Sequence, residues 1–98
     1  MEEIKQYLLN ERKISPVLLE RMLPKFEKHQ DIAEELTLWI QTKEYVTANP
    51  VIVEGYTASD IHRLAPFLDG VGVFNFMISL RERPEKAKQQ LAAGFPRK

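Results

Sequence analysis

A chain of 98 residues with 44% hydrophobic and 29% charged side chains suffices for one domain around a modest core, and is too apolar for a disordered chain. It contains no cysteine, which excludes a disulfide framework, a thiolate zinc site and a cysteine nucleophile, and which suits a cytoplasmic protein. Fourteen basic residues balance fourteen acidic ones, so overall charge gives no argument for nucleic-acid binding, and no apolar stretch nears the roughly 18 residues of a membrane span.

The charge is nevertheless divided along the chain. Residues 81–98 hold six basic and two acidic side chains, a net +4, which leaves residues 1–80 at −4. A charged segment most often does no more than face water, but an acidic body with a basic end could also pair with itself as a homodimer or meet a charged partner.

In chain order, the opening "MEEIKQYLLNERK" is acidic and interrupted by polar residues, unlike a signal peptide. Ile4, Tyr7 and Leu8 stand at helical spacing, with Glu2 and Glu3 where a helix dipole favours negative charge, so a short first helix is expected. In "ISPVLLERMLPKFEKHQ", Ser15 is placed to cap a helix and Pro16 to occupy its first position. Leu19, Met22, Leu23 and Phe26 form its apolar stripe, and Pro24 predicts either a kink or a restart. Asp31 and Glu34, a carboxylate relative of the capping box, predict a third helix over "DIAEELTLWIQTKEY", with Ile32, Leu36, Trp39 and Ile40 on one face. "TANP" then reads as a turn, since a proline disfavours helical geometry at the residue before it.

Beyond the turn, Val51, Ile52 and Val53 are all β-branched and are followed by Glu54 and Gly55, so a short β element near residues 51–54 is expected. Thr57 and Asp60 have capping-box spacing and predict a helix that faces inward through Ile61, Leu64 and Ala65 and stops at Pro66. "FLDGVG" reads as a connection. Over "VGVFNFMISLRER" two periods compete. Phe74, Phe76, Ile78 and Leu80 alternate as in a strand, whereas Val73, Phe74, Met77 and Leu80 form a helical face with Asn75, Ser79 and Glu82 opposite. Helix is preferred; a strand over 72–79 pairing with Val51–Val53 is the alternative, because an isolated short strand leaves its backbone groups unpaired. Pro84 and Glu85 then open a last helix, which Gly94 closes. The expected fold is a single mostly α domain, with a minor α+β character, of about five helices and one short β element.

Candidate chemistry is sparse. His29 and His62 lack the spacing of a zinc helix, and neighbouring Asp31 or Asp60 does not supply it, so no metal or cofactor is expected. Ser59 and Ser79 lack a nucleophile-elbow context, and Gly55 alone makes no phosphate loop. Glu54, Tyr56, Asp60 and His62 would have to line one pocket to act as an acid/base set; a surface carboxylate and a helix cap explain Glu54 and Asp60 more simply, and no catalytic residue is assigned. Phe67, Phe74 and Phe76 are expected in the core, since so small a chain needs its aromatics inside. The basic segment is the candidate partner-binding surface: Arg81, Arg83, Lys86, Lys88, Arg97 and Lys98 could meet phosphates or an acidic protein face.

The words VEGYTA (Val53–Ala58), LRERPEKA (Leu80–Ala87) and GFPRK (Gly94–Lys98), in that order, are similar to a group of small proteins associated with conjugative and other mobile elements of Gram-positive bacteria. The resemblance covers about residues 53–98 and brings no catalytic residues with it. It implies a non-enzymatic protein that binds and inhibits or modulates a host protein or ribonucleoprotein. Anti-CRISPR inhibitors, which act on a CRISPR nuclease, are one such class. The alternative is a small regulator that contacts nucleic acid directly through its basic C-terminal helix.

Overall fold

A computed structural model describes residues 2–45 and 47–94; Arg97 and Lys98 lie outside the described residues. The N-terminal helix α1 (Glu2–Gln6) continues into a π-helical turn, Tyr7–Glu11, and this pair buries Ile4, Tyr7 and Leu8 as their spacing predicts. Helix α2 (Pro16–Lys28) starts where Ser15 Oγ accepts the Leu18 amide at 3.2 Å, with Pro16 at the first position, whose missing donor would have had no partner in any case. It runs unbroken through Pro24. Its exposed outer face accommodates the loss of one backbone bond, and Leu19 and Phe26 hold the inner face to the core.

Helix α3 (Gln30–Thr42) follows after a single residue, His29, which ends one helix and begins the next. Asp31 therefore stands two positions past the N-cap, too deep to cap it. Its carboxylate instead takes the Ile32 amide at 2.9 Å and a partner on another helix. The helix also stops at Thr42, short of the expected Tyr45, because Lys43 turns into the left-handed region at φ 59° and closes the end with its amide on the Trp39 carbonyl. The Lys43 ammonium then sits 4.8 Å from the Trp39 ring and 5.0 Å from the Tyr7 ring, a cation–π contact that covers both.

The β element near residues 51–54 contracts to one bridge. Val53 and Tyr56 exchange both backbone hydrogen bonds at 2.9 Å across a turn whose central residues, Glu54 and Gly55, have φ of 53° and 86°. Two successive positive φ values suit the tightest hairpin turns. The bridge thus supplies its own partner within four residues and needs no strand from 72–79. Upstream, the Val51 amide is tied to the Glu35 carboxylate at 2.8 Å, which pins the irregular segment to α3.

Helix α4 (Ala58–Leu64) carries the expected capping box in full: Thr57 Oγ1 accepts the Asp60 amide, and Asp60 accepts the Thr57 amide. Ile61 and Ala65 face inward, but Leu64 is exposed, as is Phe67 in the following loop. Both depart from the expected core: α4 spans barely two turns and buries Ala58 and Ile61, and Phe67 lies beyond its end, in the loop before α5 (Gly70–Glu82).

Helix α5 begins earlier than "FLDGVG" suggests. Asp69 caps it, accepting the Gly72 amide at 2.7 Å, and both glycines belong to its first turn. Gly70 is there for space, since the indole of Trp39 lies against its backbone. From Val71 to Leu80, every position but Gly72, Asn75 and Ser79 is buried. Those exceptions, with Glu82, recur at helical intervals, so the polar residues report the period that the apolar ones obscure. Such a helix is the centre of the fold: α3, α4 and α6 (Pro84–Ala92) all pack on it. Helix α6 is apposed through Ala87 and Leu91, and Gly94, at φ 76°, turns the chain out of it. The result is an all-α globule of six helices among the described residues, with a radius of gyration of 13.0 Å, close to the ~13 Å typical of a compact chain of this length.

Candidate functional site

The basic segment spans the joint between α5 and α6, where Arg83 is the single residue between the two helices, at the C-cap of one and the N-cap of the next. Helical geometry distributes its described side chains, Arg81, Arg83, Lys86 and Lys88, over three directions.

Arg81 points to the start of α3. Its guanidinium meets both carboxylate oxygens of Asp31, at 2.8 and 2.6 Å, and approaches Nδ1 of His29 at 3.3 Å. The paired fork holds the Asp31 carboxyl below the usual carboxylate range. The buried His29 imidazole also meets Glu82, through a hydrogen bond between Nε2 and Oε2 at 3.2 Å. That bond, with Lys28 at 3.5 Å, holds the Glu82 carboxyl down as well. Arg81 is thus a structural tie between α5 and the α2–α3 joint. Lys88 leans toward the Val53–Tyr56 turn and pairs with Glu54 at 3.4 Å.

Arg83 and Lys86 are different. Both are exposed, and neither has an ion-pair partner among the described residues. With Ser79, Ala87 and Gln90 they line a groove of about 100 Å³ between the end of α5 and the outer side of α6. The floor is Ala87, small enough to let the helices approach, and the rim carries a guanidinium, an ammonium, a hydroxyl and a primary amide. Among the described residues, no carboxylate lines it. The sequence marks Ser79 as a polar position of its helix and as a serine without a nucleophile context, not as a partner of the basic segment, and it gives Gln90 no role. The signal for them is spacing, since Ser79 is four residues before Arg83 and Gln90 four after Lys86, which places each on the same helical face as its cation.

The residues considered for acid/base chemistry do not converge. Tyr56 and Asp60 share a shallow hollow with Gly55, Arg63 and Leu64, but Glu54 and His62 do not line it. Glu54 is occupied by Lys88, and the His62 ring lies 5.0 Å from Tyr45. Asp60 is committed to its cap and to Arg63, bonds that hold its carboxyl below the usual range, the backbone amide of Thr57 contributing most. Around His62 the aromatic contacts continue from Tyr45 to Trp39 and Phe74, and burial pushes the Tyr45 phenol up to about 12. No group of three or more His, Asp or Glu side chains placed to hold a metal ion occurs among the described residues, nor does a helix long and apolar enough to cross a membrane.

No protein-family model matches the chain, and no curated protein or solved structure matches it at a significant level.

Proposed function

We propose that this protein is a small non-enzymatic binding protein of mobile-element type, which inhibits or modulates a host protein or ribonucleoprotein through the α5–α6 face. The observation that carries the reading is the Arg83–Lys86 groove: two cations are presented to solvent with no ion-pair partner among the described residues, while their neighbours Arg81 and Lys88 are paired with Asp31 and Glu54. Uncompensated charge at a concave surface favours association with an oppositely charged partner and speeds its encounter. The VEGYTA, LRERPEKA and GFPRK words support the mobile-element setting, and a CRISPR nuclease is the partner class to test first.

The test is affinity capture of host proteins on the tagged chain, paired with nuclease cleavage assays in its presence. A captured complex that is lost with Arg83→Glu/Lys86→Glu, together with slowed cleavage by that complex, is the expected result. Capture of nothing by the unaltered chain, with unimpaired cleavage across several nuclease types, refutes the reading.

A further inference from the structure

The chemistry of the groove specifies its ligand more narrowly than charge does. Every polar side chain on the rim can donate a hydrogen bond: the Arg83 guanidinium, the Lys86 ammonium, the Ser79 hydroxyl and the Gln90 amide. The donors come from both sides of the α5–α6 joint and line one hollow. A planar carboxylate is best met by one coplanar fork, as Asp31 is by Arg81 in this same fold. A tetrahedral oxyanion, whose oxygens diverge, suits donors arriving from different directions. A fork combined with a point charge is also the usual equipment for holding phosphate.

We infer that the Ser79–Arg83–Lys86–Gln90 groove is a phosphate-binding site that takes a backbone phosphate of a single-stranded RNA, the nucleic-acid component of a ribonucleoprotein partner. The inference rests on the binding-protein reading and names the chemistry of that same surface. The groove is half open to solvent, so it admits a phosphodiester within a strand as well as a terminal phosphate. It is also short. Two cations reach one phosphate or two consecutive ones, and the site fixes the position of a strand without reading its sequence.

The experiment titrates the full chain with a uridine decanucleotide, and separately with a glutamate peptide of equal charge, following backbone amide resonances and affinity at several salt concentrations. Expected with RNA are shifts centred on Ser79, Arg83, Lys86 and Gln90. Arg83→Gln/Lys86→Gln should weaken binding about tenfold. The same change should flatten the dependence of log affinity on log salt by about 0.7 to 1.4, for one or two phosphate contacts on a single strand. Lys88→Gln, outside the groove, should leave affinity within about twofold. Far-ultraviolet circular dichroism confirms that the exposed substitutions leave the helices intact. Shifts centred elsewhere, an unchanged salt slope in the double variant, or equal binding of the glutamate peptide would each overturn the assignment. If RNA fails but a host complex is still captured in an Arg83- and Lys86-dependent way, the phosphate assignment falls and the binding reading stands. If nothing is captured while RNA binds as described, the reverse holds.

Discussion

Replacing Gly70 with alanine tests whether the start of α5 is set by local preference or by tertiary contact. Locally the change is favourable, because alanine stabilises a helix by up to about 1 kcal/mol relative to glycine. Tertiary contact opposes it. A Cβ there would collide with Cε3 of Trp39 and lie 2.5 Å from Cδ2 and Cζ3, about 1 Å or more inside the roughly 3.5–4.0 Å at which carbon atoms rest. The indole has little room to retreat, since it stands edge-on to Tyr7 at 6.2 Å, stacks on Tyr45 at 6.0 Å and is covered by Lys43. Overpacking of this kind costs about 1–3 kcal/mol, and the depth of the clash places it near the upper end. Offset by the helical gain, Gly70→Ala should destabilise by about 2 kcal/mol, a drop of roughly 8–16 °C in Tm for a chain of this size.

The matched control is Gly72→Ala, whose Cβ meets Asp69 Oδ1 at 3.3 Å and Leu68 at 3.4 Å, contacts that yield with a small adjustment. It should fall within about 1 kcal/mol of the unaltered protein. Urea unfolding of both variants, repeated in a Trp39→Leu background, isolates the contact: the penalty at Gly70 should largely vanish without the indole. A Gly70→Ala protein as stable as the unaltered one, or a penalty that persists without Trp39, would refute the reasoning.

Three other outcomes follow from the same structure. Asp69→Ala removes both the cap on α5 and the carboxylate paired with Arg12, and should cost about 1–2 kcal/mol by urea denaturation, with Asp69→Asn recovering most of it because an amide oxygen also caps. Folding stability should decline as the medium is acidified through and below the carboxylate range. Asp31, Asp60 and Glu82 all have lowered pKa values in the fold, so they bind fewer protons folded than unfolded. Their contribution is present above the unfolded values, near 4, and is lost as pH falls through the folded ones; Asp31→Asn should shallow that decline, and an unchanged pH profile would count against the Arg81 tie. Glu35 has the opposite sign, its carboxyl pushed up mainly by burial. The folded state then binds the proton more tightly, so this residue's contribution diminishes as pH rises through the folded value. Glu35→Gln, which keeps an acceptor for the Val51 amide, should be neutral or stabilising by up to about 1 kcal/mol at pH 7, as read from the urea midpoint.

Elements whose signals are local can be read from the residues alone. Ser15 with Pro16, and Thr57 with Asp60, start helices at the positions their spacing indicates, because a cap bonds to amides only two or three residues away. The helical identity of Val73–Leu80 was also legible, through the interval between Asn75, Ser79 and Glu82 rather than through the apolar residues, which fit two periods when nearly every one is buried. Tertiary structure decided the rest. Asp31 looks like a cap until Arg81, fifty residues away, is brought beside it. The short β element looks incomplete until Val53 and Tyr56 close it across two positive φ values, and Gly70 looks like a loop residue until Trp39 is set against it.

The basic segment was legible as a composition and not as a surface. Which of its cations remain available depends on which carboxylates the fold brings within reach, and Asp31 and Glu54 lie 50 and 34 positions from the cations they take, Arg81 and Lys88. Charge can be counted along a chain, but an ion pair is a statement about distance in space, and only the packing of α6 and α3 against α5 left Arg83 and Lys86 facing outward together.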